Sequence, residues 1–162
     1  MYDPYHCALR LASILVDCPL PEIEWERLRL LDFYVTFPHL LTSLRLPQAL
    51  RSRKGGLRSV PAPYESLPTP KRLFFQLCTI QDTAAKLLAA GGILDRGAFL
   101  NGRIALATGE LPSQLGELLK SLQFRSSEWY ALVTQELSRV PLYGRNGLKD
   151  RSGLMEFRHD PV

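Results

Sequence analysis

The sequence predicts a mostly α (α+β) protein: a helical domain with a winged-helix-like core and a small β wing. Three observations carry this. Aspartate or threonine followed by proline opens helices at Asp3-Pro4 and Thr69-Pro70, a cap-plus-proline start. Apolar residues recur at helical spacing through residues 8–16, 22–36 and 79–90. Only residues 103–108, Arg-Ile-Ala-Leu-Ala-Thr, read as a clear strand.

The elements follow in order. Apolar positions 8, 9, 11, 12, 15 and 16 make the first helix, to about Asp17, hydrophobic nearly all round, which demands burial or a partner. Pro19 and Pro21 break it. A second helix spans 22–36, with Glu22, Glu24 and Glu26 placed at the positive end of its dipole. Trp25, Leu28, Leu31 and Val35 form its apolar stripe. Pro38 ends it and starts a helix over 39–46, and residues 48–53 add one more turn. Glycines and prolines from 52 to 69 (Gly55, Gly56, Pro61, Pro63, Pro68) predict an irregular segment. Such a long loop tends to be functional. A turn of helix through Leu73–Leu77 then precedes a separate helix over 79–90, stopped by Gly91-Gly92. Asn101-Gly102 is a tight turn ahead of the strand. Pro112 opens a helix to about residue 122, Ser126 or Ser127 caps another containing Trp129 and Leu137, and residues 140–152 form a loop. Residues 154–158 read as a final short strand. Three helices followed by a hairpin-like strand segment give the winged-helix order, its core comprising the helix 28–37, the turn 73–77, the helix 79–90 and a wing around 93–108.

A chain of 162 residues, 46% hydrophobic and 22% charged, can bury one real core and is neither disordered, collagen-like nor a disulfide miniprotein. It reads as one domain over 1–162: N-terminal helices 1–50, a basic loop 51–69, the winged-helix-like part 70–110, and C-terminal helices and loop 111–162. The longest apolar run, residues 11–16, is interrupted by Ser13, far short of the roughly 18–20 residues of a membrane span. With no basic and apolar leader at Met1-Tyr2-Asp3-Pro4, and three cysteines that read as reduced, buried thiols (Cys7, Cys18, Cys78), the expected location is cytoplasmic.

The net charge is +4 and the pI near 9.1, but the charge is concentrated. Residues 45–72 hold seven cations (Arg45, Arg51, Arg53, Lys54, Arg58, Lys71, Arg72) against Glu65 alone. A weaker stretch, 139–158, holds five cations against Asp150 and Glu156. Arginine outnumbers lysine 15 to 5, which favours bidentate phosphate or carboxylate contacts. Arg51, Arg53, Lys54 and Arg58 are therefore the candidate contacts to a DNA backbone.

Reactive constellations are missing from the sequence. It has no G-x-x-x-x-G-K-[ST] loop, no H-E-x-x-H and no C-x-x-C. His6, His39 and His159 lie far apart, and no metal or cofactor set is expected. His39, at a helix start after Pro38, reads as a cap or partner contact. Asp32, inside an apolar helix, is the most unusual acid. It is expected to pair with Arg29 or Arg72, or else to mark an interface. Catalysis by this chain is not expected.

One combination of segments goes further. Leu30-Leu31-Asp32-Phe33-Tyr34-Val35-Thr36-Phe37-Pro38-His39-Leu40-Leu41 resembles a hallmark of the middle components of bacterial three-component ABC-ATPase systems, including the accessory subunit of Lamassu-type anti-phage and anti-plasmid defence. Arg72-Leu73-Phe74-Phe75-Gln76-Leu77, with Ile80-Gln81 and Ala84-Ala85, is similar to a second family signature. Gly147-Leu148-Lys149 with Arg151-Ser152-Gly153-Leu154 is similar to its C-terminal loop, and Tyr5-His6-Cys7-Ala8-Leu9-Arg10-Leu11 also fits. The basic loop over 55–66 has no counterpart in the resemblance. The resemblance implies a non-enzymatic accessory subunit with no cofactor. Its partners would be an ABC ATPase of the SMC or Rad50 kind and a variable effector, often a nuclease, restrained until DNA is sensed.

Interface cores favour Tyr, Trp and Arg, so Tyr2, Tyr5, His39, Trp129 and Tyr130 are the candidate partner contacts. The helix over 79–90 offers Asp82 and Lys86 among alanines and leucines, a poor surface for reading base edges. DNA contact, if made, is to duplex backbone without sequence specificity. The competing reading is a free-standing winged-helix DNA-binding transcriptional regulator, which would be a homodimer on symmetric half-sites.

Overall fold

The computed structural model describes residues 3–107, 110–156 and 158. Helix α1 (Pro4–Asp17) starts where the Asp3 side chain accepts the Tyr5 backbone N–H at 2.9 Å. It buries Cys7, Leu11, Ala12, Ile14 and Leu15. The two prolines turn the chain into strand β1 (Ile23–Glu24), and α2 (Trp25–Thr36) follows directly. The helix expected from residue 22 thus begins three residues later. Glu22 and Glu24 stay outside it and pair instead with Arg103 at 2.5 Å and Arg27 at 2.7 Å.

Helix α2 is the centre of the molecule: Leu28 and every residue from Leu30 to Val35 are buried. Beyond Pro38 the chain makes only a 3₁₀ turn, Pro38–Thr42, where a helix to residue 46 was expected. A second 3₁₀ helix, Gln48–Ser59, occupies the first part of the expected loop. Its two glycines are tolerated because Leu57 is driven into the core at 3% exposure.

Residues 70–90 form a single helix, α3 (Pro70–Ala90), not a turn and a separate helix. Cys78 and Thr79 contain no breaker, and the buried row Leu73, Leu77, Gln81, Ala84, Leu88 continues across them at helical spacing. This row packs on α1, the most extensive helix pairing in the fold.

After Gly92, which takes φ +74°, Leu94 bridges Leu106, and a short α4 (Arg96–Leu100) intervenes. The predicted strand 103–108 is regular only at β2 (Arg103–Ile104), antiparallel to β1 with Ile23 opposite Ile104 and Glu24 opposite Arg103. Its expected last residue, Thr108, lies outside the described residues. Helix α5 (Ser113–Lys120) follows. Then α6 (Glu128–Ala131) runs on through a widened π turn, Leu132–Glu136, and a 3₁₀ turn, Leu137–Arg139. Here Thr134 and Ser138 hydroxyls donate back to the Tyr130 and Thr134 carbonyls, the bonding that loosens a helix. Arg27, 7% exposed, closes this end by donating to the Ser138 and Val140 carbonyls at 2.7 and 2.5 Å. The loop expected over 140–152 contains α7 (Leu148–Ser152), ended by Gly153 at φ +66°. No strand forms over Leu154–Glu156, whose chain bends; Phe157 and His159 lie outside the described residues. One apolar core runs from Cys7 to Leu154. The mostly α class with a small antiparallel sheet is what the periodicities predict.

Candidate partner and nucleic-acid interface

The basic segment is a surface feature on a firm base. Leu57 anchors the 3₁₀ helix, and Gly56 lies so close to the Glu128 carboxylate that a Cβ would meet Oε2 at 2.6 Å. Arg53 pairs with Glu136 at 3.2 Å. Arg51, Lys54 and Arg58 project into solvent and make no ion pair among the described residues. The four cations that the sequence singles out therefore share one outward helix, with one of them already partnered.

The second basic stretch lies beside the first. Arg45 reaches the Asp150 carboxylate at 2.8 Å, and Arg151 donates to the Arg45 carbonyl at 3.0 Å and the Asn146 carbonyl at 2.6 Å. The Asn146 backbone N–H, helped by Arg45, holds the Asp150 carboxyl below its ordinary range. Residues about a hundred positions apart thus make one arginine-rich face. Both stretches are visible in the sequence, but that they adjoin depends on the fold of 140–151.

The aromatic candidates fall in different places. Tyr2 lies outside the described residues. Tyr5 is 71% exposed on the first turn of α1. His39 is half-buried, its ring edge-on to Phe37 at 6.3 Å, and burial lowers its pKa. Trp129 is half-buried and stacked with Phe124 at 6.4 Å. Tyr130 is 2% exposed and belongs to the core. Its hydroxyl donates to Asp17 at 2.9 Å, on the carboxylate that Arg125 grips at 2.6 and 2.7 Å. Burial, the Asp17 charge and that hydrogen bond raise the Tyr130 pKa.

Several residues of the family-like segments, Cys7, Asp32, Gln81 and Lys149 among them, are buried. Asp32 is fully buried and accepts from Arg10 Nε at 2.7 Å, Arg10 Nη2 at 3.3 Å and Gln81 Nε2 at 2.8 Å. The Cys7 thiol completes the ring at 3.8 Å. This corrects the sequence expectation: Asp32 pairs with neither Arg29 nor Arg72, because Arg29 binds Asp82 on α3 and stacks over Trp25. Burial, reinforced by the Asp32 charge, pushes the Cys7 thiol up, so it is no nucleophile. Lys149 is 4% exposed, paired with Glu26 at 3.2 Å and lying over Tyr143. Among the described residues no group of three His, Cys, Asp or Glu is placed to hold a metal, and no helix is long and apolar enough to cross a membrane.

Fold and surface together define a mostly helical protein whose distinctive residues build its interior and whose outward chemistry is arginine and aromatic. The family follows from comparison with known proteins. The chain matches the model of the family described as ABC-three component (ABC-3C) system Middle Component 5 over residues 1–160, and it belongs to that family. It is thus a middle component, an accessory part of a system that includes an ABC ATPase and a further component. No curated protein and no solved structure matches it.

Proposed function

We propose that this chain is a non-catalytic cytoplasmic adaptor of Lamassu-type defence. It bridges an SMC/Rad50-like ABC ATPase and an effector nuclease, and helps restrain the effector until foreign DNA is sensed. One observation carries the reading. Residues far apart in the sequence converge on internal contacts: Cys7, Arg10, Asp32 and Gln81 on one buried cluster, and Lys149 on Glu26. Interior contacts of this kind hold a shape, which suits a protein that works by being held between others. Tyr5, His39 and Trp129 supply aromatic contacts to those partners, while Arg51, Lys54 and Arg58 meet the duplex backbone without reading its sequence.

The test is co-expression of the tagged chain with the ATPase and effector encoded beside it, followed by intact-complex mass determination. A fixed-ratio assembly, whose nuclease is silent until DNA is added, is the expected result. A clean homodimer that keeps DNA through a salt wash would overturn the reading.

That second outcome belongs to the DNA-binding regulator, and one observation favours it. Helices α2 and α3 are followed by the Leu94–Leu106 bridge and by β2 paired with β1, a helix-then-strand arrangement that such a regulator would use, although the separate 73–77 turn and 79–90 helix of a winged-helix core are here the single helix α3. Against it, Asp82 stands in the middle of the helix that would enter the groove, tied to Arg29.

A further inference from the structure

We propose that the groove between the two basic stretches is a docking site for an acidic, amphipathic segment of a partner protein. This rests on the adaptor reading only in requiring that such a partner exist. The groove, of about 440 Å³, lies between the start of the 48–59 helix and the chain from 139 to 147. The apolar part of its lining is Pro47, Ala49, Leu50, Val140 and Pro141. Arg139 and Arg145 stand exposed at its edge.

The charges around it have unequal duties. Arg151 is spent on the Asn146 and Arg45 carbonyls, so it holds the groove's walls together. Glu136, the one acid of the lining, is engaged by Arg53. Asp150 is engaged by Arg45 and by the Asn146 N–H. Arg139 makes no ion pair among the described residues, and Arg145 adds only its field at Asp150. Among the described residues, the two guanidiniums at the groove have no anion paired with them.

The apolar floor decides which anion. A duplex backbone is bound by cations that project from a surface, through counterion release, and has no apolar group to place in a recess. A protein segment alternating carboxylates with aliphatic side chains fills the floor and sets its carboxylates on the guanidinium forks. The mode is peptide-in-groove recognition, with apolar anchors for affinity and arginine for orientation.

The probe is a short fluorescein-labelled peptide of alternating Glu and Leu, titrated by anisotropy at physiological salt against the full chain. A Glu-Ser peptide of equal charge and a short duplex DNA are the competitors. The Glu-Leu peptide is expected to bind, with roughly tenfold or greater weakening in the Arg139→Ala/Arg145→Ala variant. Arg139→Lys/Arg145→Lys should recover only part of it, since lysine lacks the fork. Both pairs are exposed, so unchanged thermal unfolding separates lost docking from lost fold. No binding by the wild-type chain, equal binding of the Glu-Ser peptide, or displacement by duplex at comparable concentration would each overturn the proposal. An intact complex with the ATPase beside a non-binding peptide would sink the groove alone. A binding peptide with no complex would sink the adaptor reading and leave the groove standing.

Discussion

Arg10 on α1 and Asp32 on α2 form a two-point ion pair inside the protein, with Nε at 2.7 Å and Nη2 at 3.3 Å from the carboxylate oxygens. The aspartate is wholly buried and the guanidinium side chain 11% exposed. Burial works against the Arg10 charge, and the neighbouring Asp32 more than offsets it. The Gln81 amide donates to the same carboxylate, and to the Arg29 carbonyl at 3.1 Å, so α1, α2 and α3 are tied at one polar point.

Breaking that pair from one side should be costly. Asp32→Ala leaves Arg10 charged and unmatched against the core, at about 3–5 kcal/mol of stability. Replacing both partners by apolar residues of similar volume, Arg10→Met with Asp32→Leu, should recover most of the loss. Urea unfolding of Arg10→Met, Asp32→Leu and the double variant measures the coupling. Equal and additive losses would show that the pair is not the unit.

Phe33 and Phe37 are expected to serve the fold. Phe33 is 1% exposed, with rings of Tyr34, Phe37 and Phe74 at 5.3, 5.2 and 5.7 Å. Truncating either to alanine opens a cavity and should cost about 3–5 kcal/mol. Calorimetry should show a marked drop in Tm for both. Normal Tm with lost assembly would make them contacts instead.

What is legible in the sequence here, and what is not, divides on physical grounds. Helix starts at Asp3-Pro4 and Thr69-Pro70 are legible because a proline at the first helical position acts within one turn, although only Asp3 caps with its side chain and Thr69 makes no capping bond. The partner of Asp32 was not legible, since Arg10 meets it only once α1 has packed on α2, and the i−3 neighbour Arg29 looked nearer in sequence. Strand β1 left no trace because two residues carry no alternation. Gly55 and Gly56 argued for a loop, yet Leu57 supplies the burial that holds a 3₁₀ helix there. For the interface, the cations were legible as composition, while their adjoining depends on Arg151 and two distant carbonyls.

Gly147 is required for close approach, not for unusual dihedrals, since its φ is −70°. A Cβ there would press on the Tyr143 carbonyl and meet the Leu142 oxygen at 2.8 Å. Gly147→Ala should therefore cost about 1–3 kcal/mol as the 140–148 chain shifts. The same change at Gly116, where a Cβ meets open space in the middle of α5, should instead be neutral or stabilising. Paired thermal melts of the two variants give the comparison.

His39 gives the stability a pH dependence of definite sign. Burial lowers its folded pKa below the ordinary imidazole value of about 6.5. The unfolded chain therefore holds more protons in that window, and stability rises with pH there. The His39 contribution is present above about pH 6.5 and is lost as pH falls through the folded value. His39→Gln should flatten the stability slope between about pH 7 and pH 5. An unaltered slope in denaturant titrations would show that His39 is free of this linkage.

The basic 3₁₀ helix makes the sharpest claim on DNA. Replacing Arg51, Arg53, Lys54 and Arg58 by alanine should weaken duplex binding by the assembled complex. Because these side chains are exposed and the Arg53–Glu136 pair is solvated on the arginine side, stability should change by no more than about 0.5–1 kcal/mol. Each phosphate contact adds about 0.9 to the slope of log affinity against log salt. Arg53 is already occupied by Glu136, so the slope should fall by roughly 3, not 4, when all four are removed. Arg53→Ala alone should leave it nearly unchanged. Measuring affinity across a salt series for wild type, the single variant and the quadruple variant decides the matter. An unchanged slope in the quadruple variant would take DNA away from this helix and leave its cations to the protein partners.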